Sequence, residues 1–149
     1  MIERVIVGID FSDGSRAALM EGEHLAEKLG VPCMAVHVLP STGSVFPEIL
    51  PNHLDPLQYE GQDVAHAEHL LEWVAQLPKV AAKVMTGAPA KQLVSTSDPN
   101  ALLVIGHQRK SMIANILFDS TTRWVLDHAP CPVLVVPSHS GLPGKEAEH

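Results

Sequence analysis

Polar residues that could contact a ligand follow two apolar runs of the sequence. Asp10 comes directly after the run at residues 5–9, and Gly106 and His107 come directly after the run at residues 102–105. A carboxylate accepts hydrogen bonds, whereas backbone N–H groups and a neutral imidazole donate them. If both runs are parallel strands, these residues lie at one edge of a sheet, where such sheets bind ligands.

Patterns for catalysis or metal binding are incomplete in this sequence. A phosphatase with Asp10 as its nucleophile needs a second carboxylate two residues later, where the chain has Ser12. His66 and His69 have a spacing that chelates metal on a helix, but the sequence fixes no third ligand. A solvated helix face is therefore favoured for this pair. We expect neither a catalytic residue nor a metal site.

Short apolar runs alternate with amphipathic stretches along the chain. Five strands alternating with four helices predict a doubly wound α/β domain with a parallel sheet. We expect this domain at residues 1–137 and a flexible polar tail at residues 138–149. The strands are predicted at residues 5–9, 34–39, 80–85, 102–105 and 132–136, and the helices at residues 15–29, 64–77, 90–97 and 120–128.

Two features interrupt this regular alternation. Residues 40–62 contain four prolines and two glycines without a sustained period, which is typical of a functional, mobile or interface insert that ends where Asp63 caps the next helix. Lys83 lies inside the third apolar run, which places that strand at an exposed edge of the sheet.

His37, in the second strand, is expected to pack against a neighbouring helix.

Composition and charge exclude several classes of protein. The chain has 149 residues and a hydrophobic fraction of 46%, which is enough for one domain with a core and excludes a mainly disordered chain. Its net charge of −7 argues against a nucleic-acid partner, and no apolar run approaches the ~20 residues that cross a bilayer. Cys33 and Cys131 are interpreted as buried free thiols. With no basic leader at its start, the chain is expected to be cytoplasmic.

Several segments, in their order and spacing, make this sequence resemble the universal stress protein family. The resemblance extends from about Arg4 to Pro137. It implies a five-stranded sheet of order 3-2-1-4-5 and the adenine-nucleotide alpha-hydrolase-like fold. The segments that carry it are Val7-Gly8-Ile9-Asp10-Phe11-Ser12, His37-Val38-Leu39-Pro40, Gly87-Ala88-Pro89-Ala90, Val104-Ile105-Gly106 and residues 129–137.

The resemblance also implies an adenine-nucleotide site between strands one and four. In nucleotide-binding members, the equivalent of Asp10 and the backbone near Val38 approach the adenosine. A loop of the pattern G-x2-G-x9-G-[S/T] cradles the phosphates. In this sequence Gly106 and Ser120 match the two ends of that pattern, and they would hold the phosphates together with His107.

Two charged residues replace glycines of the phosphate loop. Arg109 stands at the middle glycine, and Asp119 stands at the last one. A carboxylate about 4 Å from a phosphate costs about 4 kcal/mol at a surface-like dielectric, which is roughly a thousandfold in affinity. The guanidinium of Arg109 could itself hold a phosphate, or it could pair with Asp119 and fill the phosphate position; a divalent cation could bridge Asp119 to the phosphates. We predict weak or absent ATP binding.

The resulting prediction is a small dimeric stress-response module that binds or senses a ligand and is not an enzyme. No cofactor is certain; ATP or AMP with Mg²⁺ are the candidates. In the implied order, the run Val133-Leu134-Val135-Val136 lies at a sheet edge, and an open apolar edge favours a two-fold homodimer. Two alternatives stay open. One is a slowly ATP-hydrolysing switch, and the other is a dimer that contacts an unidentified protein partner through residues 40–62.

Overall fold

The computed structural model describes residues 1–39, 56–108 and 120–138. In these ranges one parallel sheet carries helices on both faces, because each strand is followed by a crossover that returns the chain to the same end of the sheet. The elements in chain order are β1 (Arg4–Ile9), α1 (Asp13–Leu29), β2 (Cys33–Leu39), α2 (Pro56–Val74), β3 (Val80–Thr86), α3 (Pro89–Thr96), β4 (Ala101–Gln108), α4 (Ser120–His128) and β5 (Val133–Ser138).

The sheet has the order β3-β2-β1-β4-β5, as the family resemblance implies. β1 lies at the centre, with Val5 paired to Cys33 of β2 on one side and to Leu102 of β4 on the other. The chain winds outward from β1 to β3 and then crosses to β4 and β5. The strand order therefore reverses between β1 and β4, and their carboxyl ends flank a crevice. The edge position predicted for the strand that contains Lys83 is confirmed.

Alternate residues of the strands form two apolar cores, one on each face of the sheet. On β1, Val5 and Val7 face the core shared with α1 and α2, whereas Ile6 faces the core shared with α3 and α4. All three side chains are fully buried. Each contributes roughly 1.5–3 kcal/mol by leaving water, which explains why the central strand reads as an unbroken apolar run.

Both ends of α1 follow from the sequence. The hydroxyl of Ser12, the N-cap, accepts a hydrogen bond from the Ser15 backbone N–H at 3.1 Å. At the other end Gly30 has a φ of 70° and donates its N–H to carbonyls of the last turn. Glycine adopts this left-handed conformation without strain, so it ends the helix where the apolar period predicts.

Several boundaries differ from the prediction, and three of the differences bear on the site or on the ends of the domain. α2 begins at Pro56, so the helix starts before Asp63 and includes residues 56–62, while residues 40–55 lie outside the described ranges. Proline suits the first turn of a helix, where its missing N–H is not needed. β4 continues to Gln108 and β5 to Ser138 because those two residues pair with each other across the sheet. Ser138 was predicted to begin the polar tail, but it is buried; residues 139–149 are outside the description.

Both cysteines are free, as the sequence predicts. Cys33 is buried, and burial together with the nearby negative charge of Glu23 raises the pKa of its thiol to about 11. Cys131 is only half-buried. Within the described ranges, no helix has the length and apolar character needed to cross a membrane.

Candidate functional site

A cavity of about 380 Å³ opens at the carboxyl ends of β1, β2 and β4. Asp10, Val38 and Gly106, three of the residues predicted from the sequence, line it together. Thr121 and Thr122 at the start of α4 line it as well. The cavity thus occupies the switch point of the sheet, where parallel α/β proteins bind their ligands.

Asp10 is held at the cavity wall by the turn that follows β1. One of its carboxylate oxygens accepts two hydrogen bonds from Ser12, one from the hydroxyl and one from the backbone N–H, the latter at 2.9 Å. Burial raises the pKa of Asp10, but the hydrogen bonds from Ser12 and Ser15 outweigh it, so its pKa lies below the ordinary value. The side chain is therefore an oriented carboxylate at neutral pH, able to accept hydrogen bonds from a ligand.

Gly106 lines the cavity, and the first turn of α1 lies directly against it. A Cβ atom at this position would overlap the carbonyl carbon and oxygen of Gly14 in the first turn of α1. Only a residue without a side chain lets the helix approach β4 this closely. The glycine has a packing role here that requires no phosphate.

The start of α4 places hydroxyl groups and the amino end of a helix beside the cavity. Ser120, the predicted phosphate ligand, is exposed and does not line the cavity, whereas Thr122 is buried and does. The first N–H groups of a helix have no partner inside the helix and attract anions. Thr121 and Thr122 are therefore better placed than Ser120 to hold an anion in this cavity.

His107 does not occupy the predicted loop position. It lies inside β4, where it is paired with Pro137 of β5, and its side chain is buried and does not line the cavity. Strand pairing extends through a Gly-His-Gln segment that has little intrinsic strand propensity, which is why the sequence places the strand end too early. Arg109 and Asp119 lie outside the described residues.

His37 was not predicted to belong to the site, but its side chain lines the cavity. Its Nδ1 lies 2.7 Å from the Ile9 carbonyl oxygen, and its Nε2 lies 2.9 Å from Nδ1 of His66 on α2. Burial lowers the pKa of His37; the positive charge that His66 can carry acts in the same direction, and these effects outweigh the bond to Ile9 and the attraction of Asp10. The expected packing of His37 against a helix is confirmed. Of the two histidines expected on a solvated helix face, His69 is exposed, whereas His66 is half-buried and bonded to His37.

Phe11, in the turn that follows Asp10, packs against His37 and His69. Its φ is 66°, a left-handed conformation that no other described non-glycine residue adopts, and that costs about 1–3 kcal/mol. The ring contacts His37 with 4.5 Å between centroids and His69 with 4.3 Å, and Trp73 packs edge-on at 5.2 Å. An apolar residue in an otherwise polar turn is the signal in the sequence that could have indicated this cluster.

Among the described residues, no three His, Cys, Asp or Glu side chains converge to hold a metal ion. His69 approaches Glu72 at 3.6 Å on the surface of α2. Trp73 is covered by the guanidinium of Arg16, 4.1 Å from the ring centroid.

The fold and the site together define a doubly wound α/β domain with a parallel sheet and a cavity at its switch point. The model of the universal stress protein family matches residues 1–137. The chain belongs to the universal stress protein family, as the resemblance of its segments implies.

Similar proteins agree with this assignment. A universal stress protein of Mycobacterium tuberculosis is 28% identical over 152 residues, which cover 97% of this chain and 52% of the relative. The chain thus spans about half the length of that relative. A universal stress protein from Archaeoglobus fulgidus in complex with dAMP has 20% identity and a TM-score of 0.58, with 91% of this chain and 98% of that chain covered. A universal stress protein in complex with cAMP has 21% identity and a TM-score of 0.58, with coverage of 91% and 97%. At these identities, the two structures establish the fold alone.

Proposed function

We propose that this protein is a binding or sensing module for adenine mononucleotides and not a catalyst, with weak or absent affinity for ATP. The observation that carries this proposal is the cavity at the switch point, which Asp10, Val38 and Gly106 line together. Its volume of about 380 Å³ lies within the range of about 300–1,000 Å³ for small-molecule sites.

The cavity suits a nucleoside. Its wall is apolar at Val36, Leu93 and Ile105, which favours a flat base, and polar at Asp10. Because Ser12 fixes the carboxylate, Asp10 can accept hydrogen bonds from sugar hydroxyl groups without losing side-chain entropy on binding. The complexes of similar universal stress proteins with dAMP and with cAMP support this class of ligand.

The phosphate side of the site favours one phosphate over three. Thr121 and Thr122 line the cavity at the amino end of α4, and a helix amino end suits a single anionic group. The second and third phosphates of ATP need the glycine loop, and this sequence has Arg109 and Asp119 in place of two of its glycines. Repulsion by Asp119 therefore weakens the binding of ATP more than the binding of AMP.

A binding role also agrees with the state of the imidazole in the cavity wall. His37 is the only histidine among the described lining residues. Both of its ring nitrogens are engaged, one by Ile9 and the other by His66. It is therefore not free to act as a general base on a bound nucleotide, which needs a nitrogen within hydrogen-bond reach of the proton it removes.

Calorimetric titration of the unmodified chain with AMP, and with ATP and Mg²⁺, tests this proposal. We expect AMP to bind at least about tenfold more tightly than ATP, because repulsion by Asp119 acts on the additional phosphates. The variant with both Arg109→Gly and Asp119→Gly should bind ATP more tightly than the unmodified chain. Asp127→Asn, which removes an exposed carboxylate near the far end of α4, is the control and should leave ATP affinity unchanged. Sub-micromolar ATP binding by the unmodified chain would contradict the proposal.

We also propose that two copies of the chain associate through β5. This strand lies at an edge of the sheet, where β4 is its single neighbour among the described strands. Its apolar residues Val133 to Val136 are only half-buried in one chain. Antiparallel pairing of two such edges about a two-fold axis would satisfy both rows of backbone groups.

A further inference from the structure

The hydrogen bonds of His37 fix which ring nitrogens carry protons. The Ile9 carbonyl can only accept, so His37 Nδ1 must donate to it across 2.7 Å. In the neutral ring, His37 Nε2 is then a lone pair, and it accepts the N–H of His66 Nδ1 across 2.9 Å. Two neutral rings therefore leave Nε2 of His66 as the remaining lone pair, the position that can receive a proton.

This arrangement can hold one additional proton but not two. A proton on His66 Nε2 keeps both hydrogen bonds and strengthens the bond between the rings, because its donor is then charged. A second proton would have to go to His37 Nε2, which would place two N–H groups against each other at 2.9 Å. Burial also opposes a charge on His37 itself. The pair can thus become singly positive without any change in its packing.

The cavity is negatively charged, and a proton on the pair changes how it interacts with an anion. Among the described lining residues, Asp10 is the only charged side chain, so an anion that enters meets a negative group. A proton on the pair places a positive charge behind the wall formed by His37 and offsets that repulsion. Among the residues whose side chains the structure describes, the other titratable or charged groups around the pair are His69 and Glu72 on α2 and, through Trp73, Arg16 on α1. On β3, Val84 lies opposite His37.

We propose that the His37–His66 pair takes up one proton when an anionic ligand enters the cavity, and so makes ligand affinity depend on pH. This coupling rests on the proposed function, since it needs an anionic nucleotide beside Asp10. It makes the pair a regulator of the site: acidification strengthens anion binding, and ligand binding in turn favours the protonated pair by the same factor.

The test compares cAMP with adenosine on the full chain by calorimetry. cAMP is a phosphodiester whose single negative charge does not titrate in the range used, and adenosine is its uncharged counterpart. Between about pH 8 and about pH 6, where imidazoles titrate, we expect the Kd of cAMP to fall about fivefold and that of adenosine to stay within about twofold. The cAMP titration is then repeated at about pH 6.5 in buffers of different ionisation enthalpy. The observed binding enthalpy should vary with the buffer in the direction of net proton uptake.

The variant His66→Gln keeps an amide donor for His37 Nε2 but cannot take up a proton. It should bind cAMP with the same affinity at both pH values, whereas the control His69→Gln, on the same helix, should behave like the unmodified chain. Equal pH dependence for cAMP and adenosine, an unchanged pH dependence in His66→Gln, or no proton uptake by the unmodified chain would each overturn the coupling alone. No binding of either ligand at either pH would overturn the proposed function and the coupling with it.

Discussion

Gly106 and Gly14 pack backbone against backbone, at the point where the first turn of α1 crosses β4. The glycine that the phosphate-loop pattern would assign to nucleotide contact is thus already required by the fold. This packing requirement does not depend on the loop that follows, where Arg109 and Asp119 stand in place of two glycines of the pattern. The presence of Gly106 alone is weak support for phosphate binding.

We expect Gly106→Ala to destabilise the protein. The added Cβ would overlap backbone atoms of Gly14, which cannot rotate away, and overpacking of this kind costs about 1–3 kcal/mol. Urea denaturation gives the free energy of unfolding. Gly30→Ala is the control. A Cβ atom at this position has no neighbour within 4 Å, so the variant loses only the stability associated with a φ of 70°, roughly 1 kcal/mol. A Gly106→Ala variant as stable as the unmodified protein would contradict the close packing.

The parts of the site that lie on regular elements could be predicted from the sequence. Asp10, Val38 and Gly106 follow or end apolar runs that are strands, and the rule for parallel sheets brings those ends together. Short β-branched runs buried on both faces have few alternatives to a central strand. The order of the strands came from the family resemblance, since periodicity does not determine which strands are neighbours.

The rest depends on contacts between distant segments. His37 and His66 are 29 residues apart, and their hydrogen bond exists because α2 packs against β2. The left-handed conformation of Phe11 is not the preference of a phenylalanine, and it occurs where the ring packs against rings of distant segments. His107 became a strand residue through pairing with β5. Tertiary contacts override local propensity at each of these places.

The conformation of Phe11 predicts an unusual order of stability for two variants. Both Phe11→Ala and Phe11→Gly lose the ring that contacts His37 and His69, and we expect a loss of roughly 2–4 kcal/mol. Since φ is 66°, the glycine variant should be more stable than the alanine variant by about 1 kcal/mol. Chemical denaturation of the two proteins measures the difference.

A second pair of variants serves as the reference for this order. His69 contacts the same ring but lies within α2, where glycine is less favourable than alanine by about 1 kcal/mol. His69→Gly should therefore be less stable than His69→Ala, the reverse of the order at Phe11. The same order at both positions would mean that Phe11 is not left-handed.

His37 should make the protein less stable in mild acid. Its pKa is lowered in the folded state, by burial above all, so the unfolded chain binds more protons as the pH falls through about 6.5. The contribution of this neutral histidine is complete above that pH and is lost as the pH falls towards the folded-state pKa. Thermal denaturation from about pH 8 to about pH 5.5 should show a declining midpoint.

Substitution separates His37 from the other histidines. His37→Gln can still donate a hydrogen bond to Ile9 but does not titrate, so its midpoint should decline less with acidification than that of the unmodified protein. His24 is exposed on α1, and His24→Gln should leave the decline unchanged. A decline of equal size in His37→Gln would assign the acid sensitivity to other groups.

The ladder between β4 and β5 identifies the backbone groups that a partner strand would use. The Leu103 N–H donates to the Pro132 carbonyl at 3.1 Å, and because successive residues of a strand alternate in direction, the N–H of Val135 points away from β4. Val135→Pro removes that outward donor and no bond of the sheet within one chain, a substitution that edge strands tolerate.

Light scattering at micromolar concentration should therefore give the unmodified chain a mass of about twice 16.0 kDa and Val135→Pro a mass near that of one chain. Val135→Thr keeps the N–H and nearly the same side-chain shape, so it should stay dimeric. Circular dichroism must show that the proline variant is folded, since an unfolded chain also runs as a monomer. If the unmodified chain itself has a mass of 16.0 kDa, the β5 edge is not closed by a second copy, because strand pairing across that edge would double the mass.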